Sequence, residues 1–538
     1  MCGNQISEAS DANLNVNVNL EGINYSLNQK DKTAKILSSL STKSKIIIPR
    51  SIKFRLNEYE IISITELGFS FSKNLNKILF ASDSKLRIID KNTFSWTSIK
   101  SISIPRHVTQ INENAFYRCN NLMNVEIPSN SELNVIEGYA FHGTQISSLL
   151  IPSNLFLLKK GWCSLTNKLN EIEVDMTNQR YSCLNDKYLI GKSDLFNRYY
   201  DILSFAVRNI VDVRIPASIK VIESYAFEGC RYIQHFEIPP NSELQTIDEF
   251  AFKNSSISRI FIPKKLVDLK KDWNCGLSDL TQIEVDPENP RYSCIEKKFL
   301  IGKSDLSSND YDVLILSVRD VVEARIPINI KVIESYSFEY CQKLRKFEIP
   351  SDSKLQTIDA YAFHASSIPN IFFPADLVNL NKKWCIGICG LNNIEVDPKN
   401  PRYLCNDGKI LIGKSYLSND DYDILFFGAR NIVEARIPKC IKAIASYAFE
   451  NCMKLSRIEF QQNSQLRAIN TEVFFNSPIS SFAIPAHVTS IDENSFFFCQ
   501  ELRIIEIDEN TEMRRIHAKR FNQNTIIMIP VQKLKSIK

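Results

Sequence analysis

RIPASIKVIESYAFEGC, residues 214 to 230, occurs again twice along the chain with few changes. RIPINIKVIESYSFEYC starts at Arg325 and RIPKCIKAIASYAFENC starts at Arg436, so the three copies begin at equally spaced positions. A fourth and more divergent copy, SIPRHVTQINENAFYRC, has its Ile-Pro at Ile104, one such interval before Ile215. We call this interval the long period. Self-similarity at a fixed period indicates a fold built from repeated units that each contact their neighbours.

Each copy of the long period is itself composed of shorter units. A unit has an apolar strand pattern that closes with Ile-Pro or a close variant, and an Ile and an Ala-Phe pair follow it. The interval from Val285 to Ile326 is longer than the intervals before it, so the fourth unit carries an insertion. Along the whole chain the closing residues are Ile48, Phe80, Ile104, Ile127, Ile151, Val174, Ile215, Ile238, Ile262, Val285, Ile326, Ile349, Phe373, Val396, Ile437, Phe460, Ile484, Ile507 and Ile529.

Units of about 20 to 29 residues with one strand each are typical of leucine-rich repeats. The sequence therefore predicts a leucine-rich repeat solenoid of parallel strands with an irregular or short helical outer wall, in which the Ala-Phe pairs fill the core. The expected organisation is a disordered N-terminal arm at 1–20, an N-terminal β-hairpin cap at 21–62, the solenoid at 63–530 with β-hairpin insertions near 175–210, 286–321 and 397–432, and a basic tail at 531–538.

GKILIGKS, residues 408–415, matches the phosphate-loop pattern G-x-x-x-x-G-K-[ST]. The corresponding stretches at 297–304 and 186–193 end in the same LIGKS but begin with Lys and Asp, so the first glycine is missing from both. A phosphate loop must lead into a helix N-terminus, whereas K-I-L-I favours an extended strand and a polar turn with a second strand follows it. The segment is therefore predicted to be a hairpin, and nucleotide binding is kept only as a minor alternative.

Composition excludes several classes of function. The 65 Lys and Arg nearly balance the 61 Asp and Glu, which leaves no strong field to attract nucleic acid. The N-terminus lacks the apolar core of a secretory signal, and no apolar run is long enough for a transmembrane helix. The six histidines form no metal or triad spacing, so we expect no enzyme activity, cofactor or metal site.

The cysteines suggest two interpretations. Those at one fixed position of the repeat are expected to be buried free thiols, because even the closest two lie two units apart: Cys119, Cys230, Cys341, Cys452 and Cys499. A second set in the insertions is either bridged or free, because the spacing slips by one position in the middle copy: Cys163 with Cys183, Cys275 with Cys294 and Cys385 with Cys405. Zinc at Cys385 and Cys389 is not favoured, since no histidine lies near.

Strand alternation identifies a surface that a partner could use. The residues on either side of each penultimate apolar strand residue point outward and line one face of the sheet. Two interpretations of this face remain open: cross-strand Arg–Glu pairs that keep it soluble, or aromatic and arginine anchors for a partner. The candidate residues are Arg214, Glu237, Arg259, Phe261, Arg325, Glu348, Phe372, Arg436 and Glu459.

The unit IP-x-x-ϕ-x-x-I-x-x-x-AF-x-x-C resembles the repeat of BspA-like leucine-rich repeat proteins, which occur in bacteria and are expanded in some protists. GINYSLNQKDKTAKI (22–36) is similar to the N-terminal hairpin of the protist members, and EVDPENPRYSCIEKKFLIGKS (284–304) is similar to their recurring hairpin insertion. The resemblance covers about residues 20–530. It implies a surface or secreted adhesion protein.

These observations predict a non-enzymatic protein that binds another protein or a surface glycan through the sheet face, with an adhesion role implied by the resemblance. The alternative is an intracellular scaffold that presents the same face to cytosolic partners. Localisation stays open, because the resemblance implies the cell surface or secretion and the missing signal peptide implies the cytoplasm. The sequence does not indicate an oligomeric state.

Overall fold

A computed structural model describes residues 15–405, 407–492, 494–507 and 526–528. The described residues form strands and turns and contain no helix. Those up to Ser256, together with Asp268–Trp273, form one compact unit, and the described residues of Ile257–Val267 and from Asn274 onward form a second. The predicted basic tail and the last predicted strand end, Ile529, lie outside the described residues.

The strands follow one another in short elements. The first half of the chain contains β1 (Asn15–Leu20), β2 (Ile23–Asn28), β3 (Thr33–Ser39), β4 (Lys45–Ile48), β5 (Ser51–Phe54), β6 (Asn57–Ile64), β7 (Lys77–Phe80), β8 (Ile88–Ile89), β9 (Ser101–Ser103), β10 (Gln110–Ile111), β11 (Asn124–Glu126), β12 (Val135–Ile136), β13 (Ser148–Ile151), β14 (Leu157–Leu158), β15 (Glu171–Val174), β16 (Tyr181–Leu184), β17 (Tyr188–Gly191), β18 (Ile202–Ala206), β19 (Asp212–Arg214), β20 (Val221–Ile222), β21 (His235–Glu237) and β22 (Thr246–Ile247). The second half contains β23 (Arg259–Ile262), β24 (Asp268–Leu269), β25 (Gln282–Val285), β26 (Tyr292–Ile295), β27 (Phe299–Gly302), β28 (Val313–Ser317), β29 (Glu323–Arg325), β30 (Val332–Ile333), β31 (Lys346–Glu348), β32 (Thr357–Ile358), β33 (Asn370–Phe373), β34 (Asn379–Leu380), β35 (Asn393–Val396), β36 (Tyr403–Leu404), β37 (Ile410–Gly413), β38 (Ile424–Gly428), β39 (Glu434–Ile437), β40 (Ala443–Ile444), β41 (Arg457–Phe460), β42 (Ala468–Ile469), β43 (Ser481–Ile484), β44 (Ser490–Ile491), β45 (Ile504–Ile507) and β46 (Ile526–Met528).

The N-terminal strands form an antiparallel meander in which β1 pairs with β2 and β2 pairs with β3. Residues 15–20, within the segment expected to be a disordered arm, form strand β1, and residues 1–14 lie outside the described part. The strand forms because NVNVNL alternates polar and apolar side chains. Its turn is the pair Glu21 and Gly22, both with positive φ (51° and 82°), as a two-residue hairpin loop requires.

Beyond the meander, each coil of the solenoid contributes one longer and one shorter strand. The longer strands pair in parallel, as β4, β7, β9 and β11 do in the first unit and β43, β45 and β46 do in the second. The two-residue strands pair in parallel as well, for example β20 with β22 and β22 with β24. Neighbouring coils are thereby bonded through parallel ladders of one or both kinds of strand, because no single coil can bury its own apolar face.

The predicted short helical outer wall is not present among the described residues. Its place is taken by tight turns, each of which holds an Ala-Phe pair. In one such turn Tyr225 and Gly229 both have positive φ, 65° and 70°. Its N–H groups donate to the next coil, from Phe227 to the Ala251 carbonyl and from Gly229 to the Lys253 carbonyl, both at 2.8 Å. In a helix these N–H groups would bond to carbonyls of the same segment. The left-handed residues direct them to the next coil instead, and the turns thereby form a further ladder of hydrogen bonds between coils.

The Ala-Phe pairs form the core, as predicted. Phe116 is fully buried and stacks on Phe94 at 5.3 Å and on Phe141 at 5.2 Å between ring centroids. In the second unit Phe338 stacks on Phe363 at 5.6 Å. Each stacked pair contributes about 0.5 to 1.5 kcal/mol beyond the buried area, so the rings stabilise contacts between coils rather than a ligand.

Each insertion forms three antiparallel strands: β16 to β18, β26 to β28 and β36 to β38. The third strand of each insertion then joins the ladder of two-residue strands, as β28 does beside β30. Among the described sheets, the longer strands on either side of an insertion are not paired with each other; β25 pairs with β23, whereas β29 pairs with β31. The sheet of longer strands is therefore interrupted at every insertion.

Candidate partner-binding face

The outward side chains of the longer strands form the strand face. Parallel register places Arg214 of β19 directly beside Glu237 of β21, with Nε and Oε2 3.0 Å apart. Arg325 of β29 lies beside Glu348 of β31 at 3.6 Å. Equivalent positions of two successive copies thus carry the same cross-strand ion pair, once in each compact unit.

The third copy carries a larger group of charges. Arg436 of β39 contacts Glu459 of β41 at 3.4 Å and Glu434 at 4.0 Å. Arg457 contacts Glu459 at 2.6 Å and Glu434 at 3.9 Å. The cross-strand pairs of the first interpretation are therefore present in all three copies. Because their arginines are 71 to 81% exposed, each pair contributes about 0 to 1 kcal/mol to stability.

The two predicted aromatic anchors are less exposed than the alternation pattern suggested. Phe261 on β23 and Phe372 on β33 are both half-buried. Each lies beside a glutamate of the next strand, Glu284 and Glu395. Arg259, on the same strand as Phe261, is exposed. Half-buried rings on strands next to glutamates give a surface of mixed apolar and charged character rather than open aromatic platforms.

The GKS segments form strands, as the hairpin prediction requires. Ile410–Gly413 is strand β37 and pairs antiparallel with β36 and β38, so the two glycines flank a strand and not a loop. The hydroxyl and N–H of Ser415 both donate to Asp423, at 2.9 and 2.8 Å. The Lys414 ammonium lies 5.4 Å from the ring centroid of Tyr422. Serine and lysine are thus engaged within the hairpin, and the repeated GKS is explained by packing.

Sequence analysis missed a set of buried charges at the end of each insertion. Arg430, 5% exposed, lies 4.3 Å from the centroid of the Phe427 ring and donates to the Ala448 and Cys385 carbonyls at 3.3 Å. Glu450, 3.8 Å from Arg430, accepts the Gly387 N–H at 2.9 Å. Burial raises the pKa of Glu450. These groups connect the coil before the insertion to the coil after it.

The same pattern recurs in the other copies. Arg208 and Arg319 are buried like Arg430, and Glu228 and Glu339 accept backbone N–H groups of Leu165 and Gly276 at 2.8 and 2.6 Å. The available sequence signal was an arginine that returns with the long period within an otherwise apolar segment. It did not reveal burial, because arginine is rarely buried unless its donors are satisfied.

All thirteen cysteines of the described residues are free thiols, including the six for which a bridge was an open interpretation. Cys119, Cys230, Cys341, Cys452 and Cys499 are buried, in agreement with the prediction. Within the described ranges no group of three or more His, Cys, Asp or Glu side chains is placed to hold a metal ion. The part of the chain that the structure covers also includes no helix able to span a membrane.

A protein family and several solved structures are similar to this chain. A family model described as "BspA type Leucine rich repeat region (6 copies)" matches residues 37–173, 203–309, 317–403 and 422–538. The crystal structure of a leucine rich cell surface protein from Faecalibacterium prausnitzii is 19% identical with a TM-score of 0.32, covering 91% of this chain and 94% of its own.

Two further solved structures show the same likeness. A leucine-rich repeat protein from Eubacterium ventriosum is 16% identical with a TM-score of 0.43, over 70% of this chain and 95% of its own. The pneumococcal vaccine antigen PcpA is 13% identical with a TM-score of 0.36, over 96% and 98%. No curated protein sequence matches the chain.

Proposed function

The chain belongs to the family of BspA-type leucine-rich repeat proteins, and on that premise we propose that it is a non-enzymatic protein that binds another protein through its strand face. Adhesion or another interaction at a surface is the role we propose for that binding. The contact would be formed by Arg214, Glu237, Arg259, Phe261, Arg325, Glu348, Phe372, Arg436 and Glu459.

One observation carries this proposal. The strand face presents the same arrangement at equivalent positions of successive copies: an arginine beside a glutamate, and a half-buried phenylalanine beside a second glutamate. Arginine and aromatic side chains dominate the binding energy of protein interfaces, whereas charges at the rim mainly set specificity and association rate. The half-buried rings favour a protein over a glycan, because a flat apolar platform for a sugar ring is not exposed there.

A position-dependent crosslinking experiment tests the proposal. A photoreactive amino acid replaces Arg259 on the strand face or, as the control, Lys354, an exposed residue of the same unit that lies between strands. The full chain is added to cells that produce it, and to the same cells after protease or periodate treatment. We expect adducts from position 259 only, abolished by protease and retained after periodate. Equal adducts from both positions contradict the strand face, and loss after periodate instead identifies a glycan.

A further inference from the structure

The interruption of the strand face at the second insertion leaves backbone groups without a neighbouring strand. Lys346 N–H donates to the Val322 carbonyl and Ile326 N–H donates to the Glu348 carbonyl, so this edge of β29 is paired with β31. Successive residues of a strand direct their backbone groups to opposite sides. The N–H and C=O groups of Glu323 and Arg325 therefore point away from β31, toward β25.

On the other side of the gap, β25 meets only a turn of the insertion. Ile283 N–H donates to the Lys297 carbonyl at 3.3 Å, which occupies part of the place where the next strand would lie. A cavity of about 580 Å³ remains beside this turn. Its walls come from β25, the turn and β29: Thr281, Gln282, Lys297, Lys298, Asp320 and Glu323. We call this cavity the edge cleft.

The other two copies fill the corresponding place with their own side chains. In the first copy the Tyr188 hydroxyl accepts the N–H of Arg214 at 3.1 Å. The residue equivalent to Tyr188 in the second copy is Phe299, which has no hydroxyl to offer to Arg325.

In the third copy Lys409 Nζ donates to the Asn392 carbonyl and to Asn431 Oδ1, both at 2.9 Å. The equivalent of Asn431 in the second copy is Asp320, and Lys298 pairs with Glu296 instead of with Asp320. The edge cleft therefore contains neither the tyrosine hydroxyl of the first copy nor the lysine–asparagine hydrogen bond of the third.

The charge at the edge cleft indicates what would enter it. Lys297 and Lys298 are neutralised by Glu284 and Glu296, at 3.4 and 3.1 Å. Asp320 and Glu323 are exposed, and neither forms an ion pair within the described ranges. The rim of the cleft thus carries an unbalanced negative charge beside unpaired main-chain donors and acceptors.

We propose that the edge cleft binds an extended, lysine- or arginine-containing segment of a partner protein by adding it as a strand to the edge of β29. Main-chain bonds to Glu323 and Arg325 would supply affinity, and the free carboxylates of Asp320 and Glu323 would select basic side chains. This inference rests on the proposed function and names the mode by which the strand face holds its partner.

A random peptide library displayed on phage, selected against the full chain, provides the probes. We expect enrichment of peptides with Lys or Arg among β-branched residues, and binding that is lost when alternate peptide amides are N-methylated. Phe299→Tyr should weaken binding about tenfold, because its hydroxyl takes the Arg325 N–H as Tyr188 takes that of Arg214. Phe299→Ile, which gives this position the residue of the third copy (Ile410) and offers no hydroxyl, is the matched control and should leave the peptide affinity unchanged.

Asp320→Asn is a second test that does not depend on the ring. It recreates the asparagine that binds the lysine in the third copy and removes one rim charge, so basic peptides should bind at least about threefold more weakly. The inference is overturned if no peptide is selected, if N-methylation has no effect, or if Phe299→Tyr binds like wild type. If the peptide experiments overturn the inference but crosslinked adducts still form only at position 259, the proposed function stands. Peptide binding with equal adducts at 259 and 354 would refute the proposed function alone.

Discussion

The ordinary coils and the insertion coils of this chain satisfy their buried backbone groups in different ways. In an ordinary coil the turn N–H groups donate to the next coil, as Phe116 does to Ala140. The carbonyl of Ala226, which follows an insertion, instead accepts Ala206 N–H at 2.9 Å and Arg208 Nη1 at 3.0 Å. The Ala206 N–H takes the place of the turn N–H, and the buried arginine adds a second donor. Each insertion thus brings a charged side chain into the core, where its N–H groups are directed to carbonyls because unpaired buried polar groups are costly.

The largest expected effect comes from removing one of these arginines. Arg430→Ala leaves Glu450 buried without its cation and removes one donor from each of the Ala448, Cys385 and Ile388 carbonyls. We expect the free energy of local opening around β38 to β40 to fall by about 3 to 5 kcal/mol, measured by amide hydrogen exchange. Arg436→Ala, at a 74% exposed arginine on the strand face, is the matched control. Similar losses for both variants would contradict the difference between the two kinds of coil.

A buried asparagine at the start of each insertion gives the next largest effect. Asn289 donates to the Pro263 and Leu266 carbonyls at 2.7 and 2.9 Å and accepts the Arg291 and Tyr292 N–H groups at 2.9 and 2.8 Å. Asn289→Ala removes these four hydrogen bonds and leaves the Leu266 carbonyl and the Arg291 N–H without this partner, which should cost about 2 to 3 kcal/mol by the same measurement. The exposed Asn329→Ala should change stability by less than about 0.5 kcal/mol. An unchanged exchange pattern at residues 286–292 in the Asn289 variant would show that the insertion does not depend on this side chain.

A pH effect is expected from the Glu223 carboxyl of the first copy. Burial raises the pKa of Glu223 to about 7 from an ordinary value of 4.5, so the folded chain holds its proton more tightly than the unfolded chain. The stabilisation is complete below pH 4.5 and is lost as the pH rises through 7. Urea midpoints followed from pH 4.5 to 8 should decline less for Glu223→Gln than for wild type, and Glu237→Gln serves as the exposed control. Parallel profiles for wild type and Glu223→Gln would refute the assignment.

The smallest expected change concerns the strand face itself. Arg325→Ala removes an ion pair whose arginine is 71% exposed and should cost less than about 1 kcal/mol. Urea denaturation compared with Glu348→Ala and the double variant measures the coupling between the two side chains. A coupling above about 2 kcal/mol would mean that the pair serves stability, and the proposal that it serves binding would lose its support.

The sequence predicted the coil period, the buried Ala-Phe pairs and the strand at 410–413, because each follows from apolar spacing and from comparison among copies. It also predicted Arg325 beside Glu348, since their spacing equals one coil in a parallel sheet. The left-handed turns were missed because Tyr, Arg and Phe occupy many of these positions, and only glycine would have signalled them. The edge cleft was missed because it depends on which strands stay unpaired, and a single-residue pattern does not encode that.

The thiols at the fixed position of the repeat unit give the protein internal reporters of opening. Cys119 and Cys499 are buried in their turns, and burial raises their pKa to about 12 and about 11. Alkylating reagents attack the thiolate, so iodoacetamide leaves such a sulfur unmodified while its coil is closed. Mass spectrometry of alkylated tryptic fragments would therefore record, copy by copy and without any engineered label, how often each part of the stack separates from its neighbours.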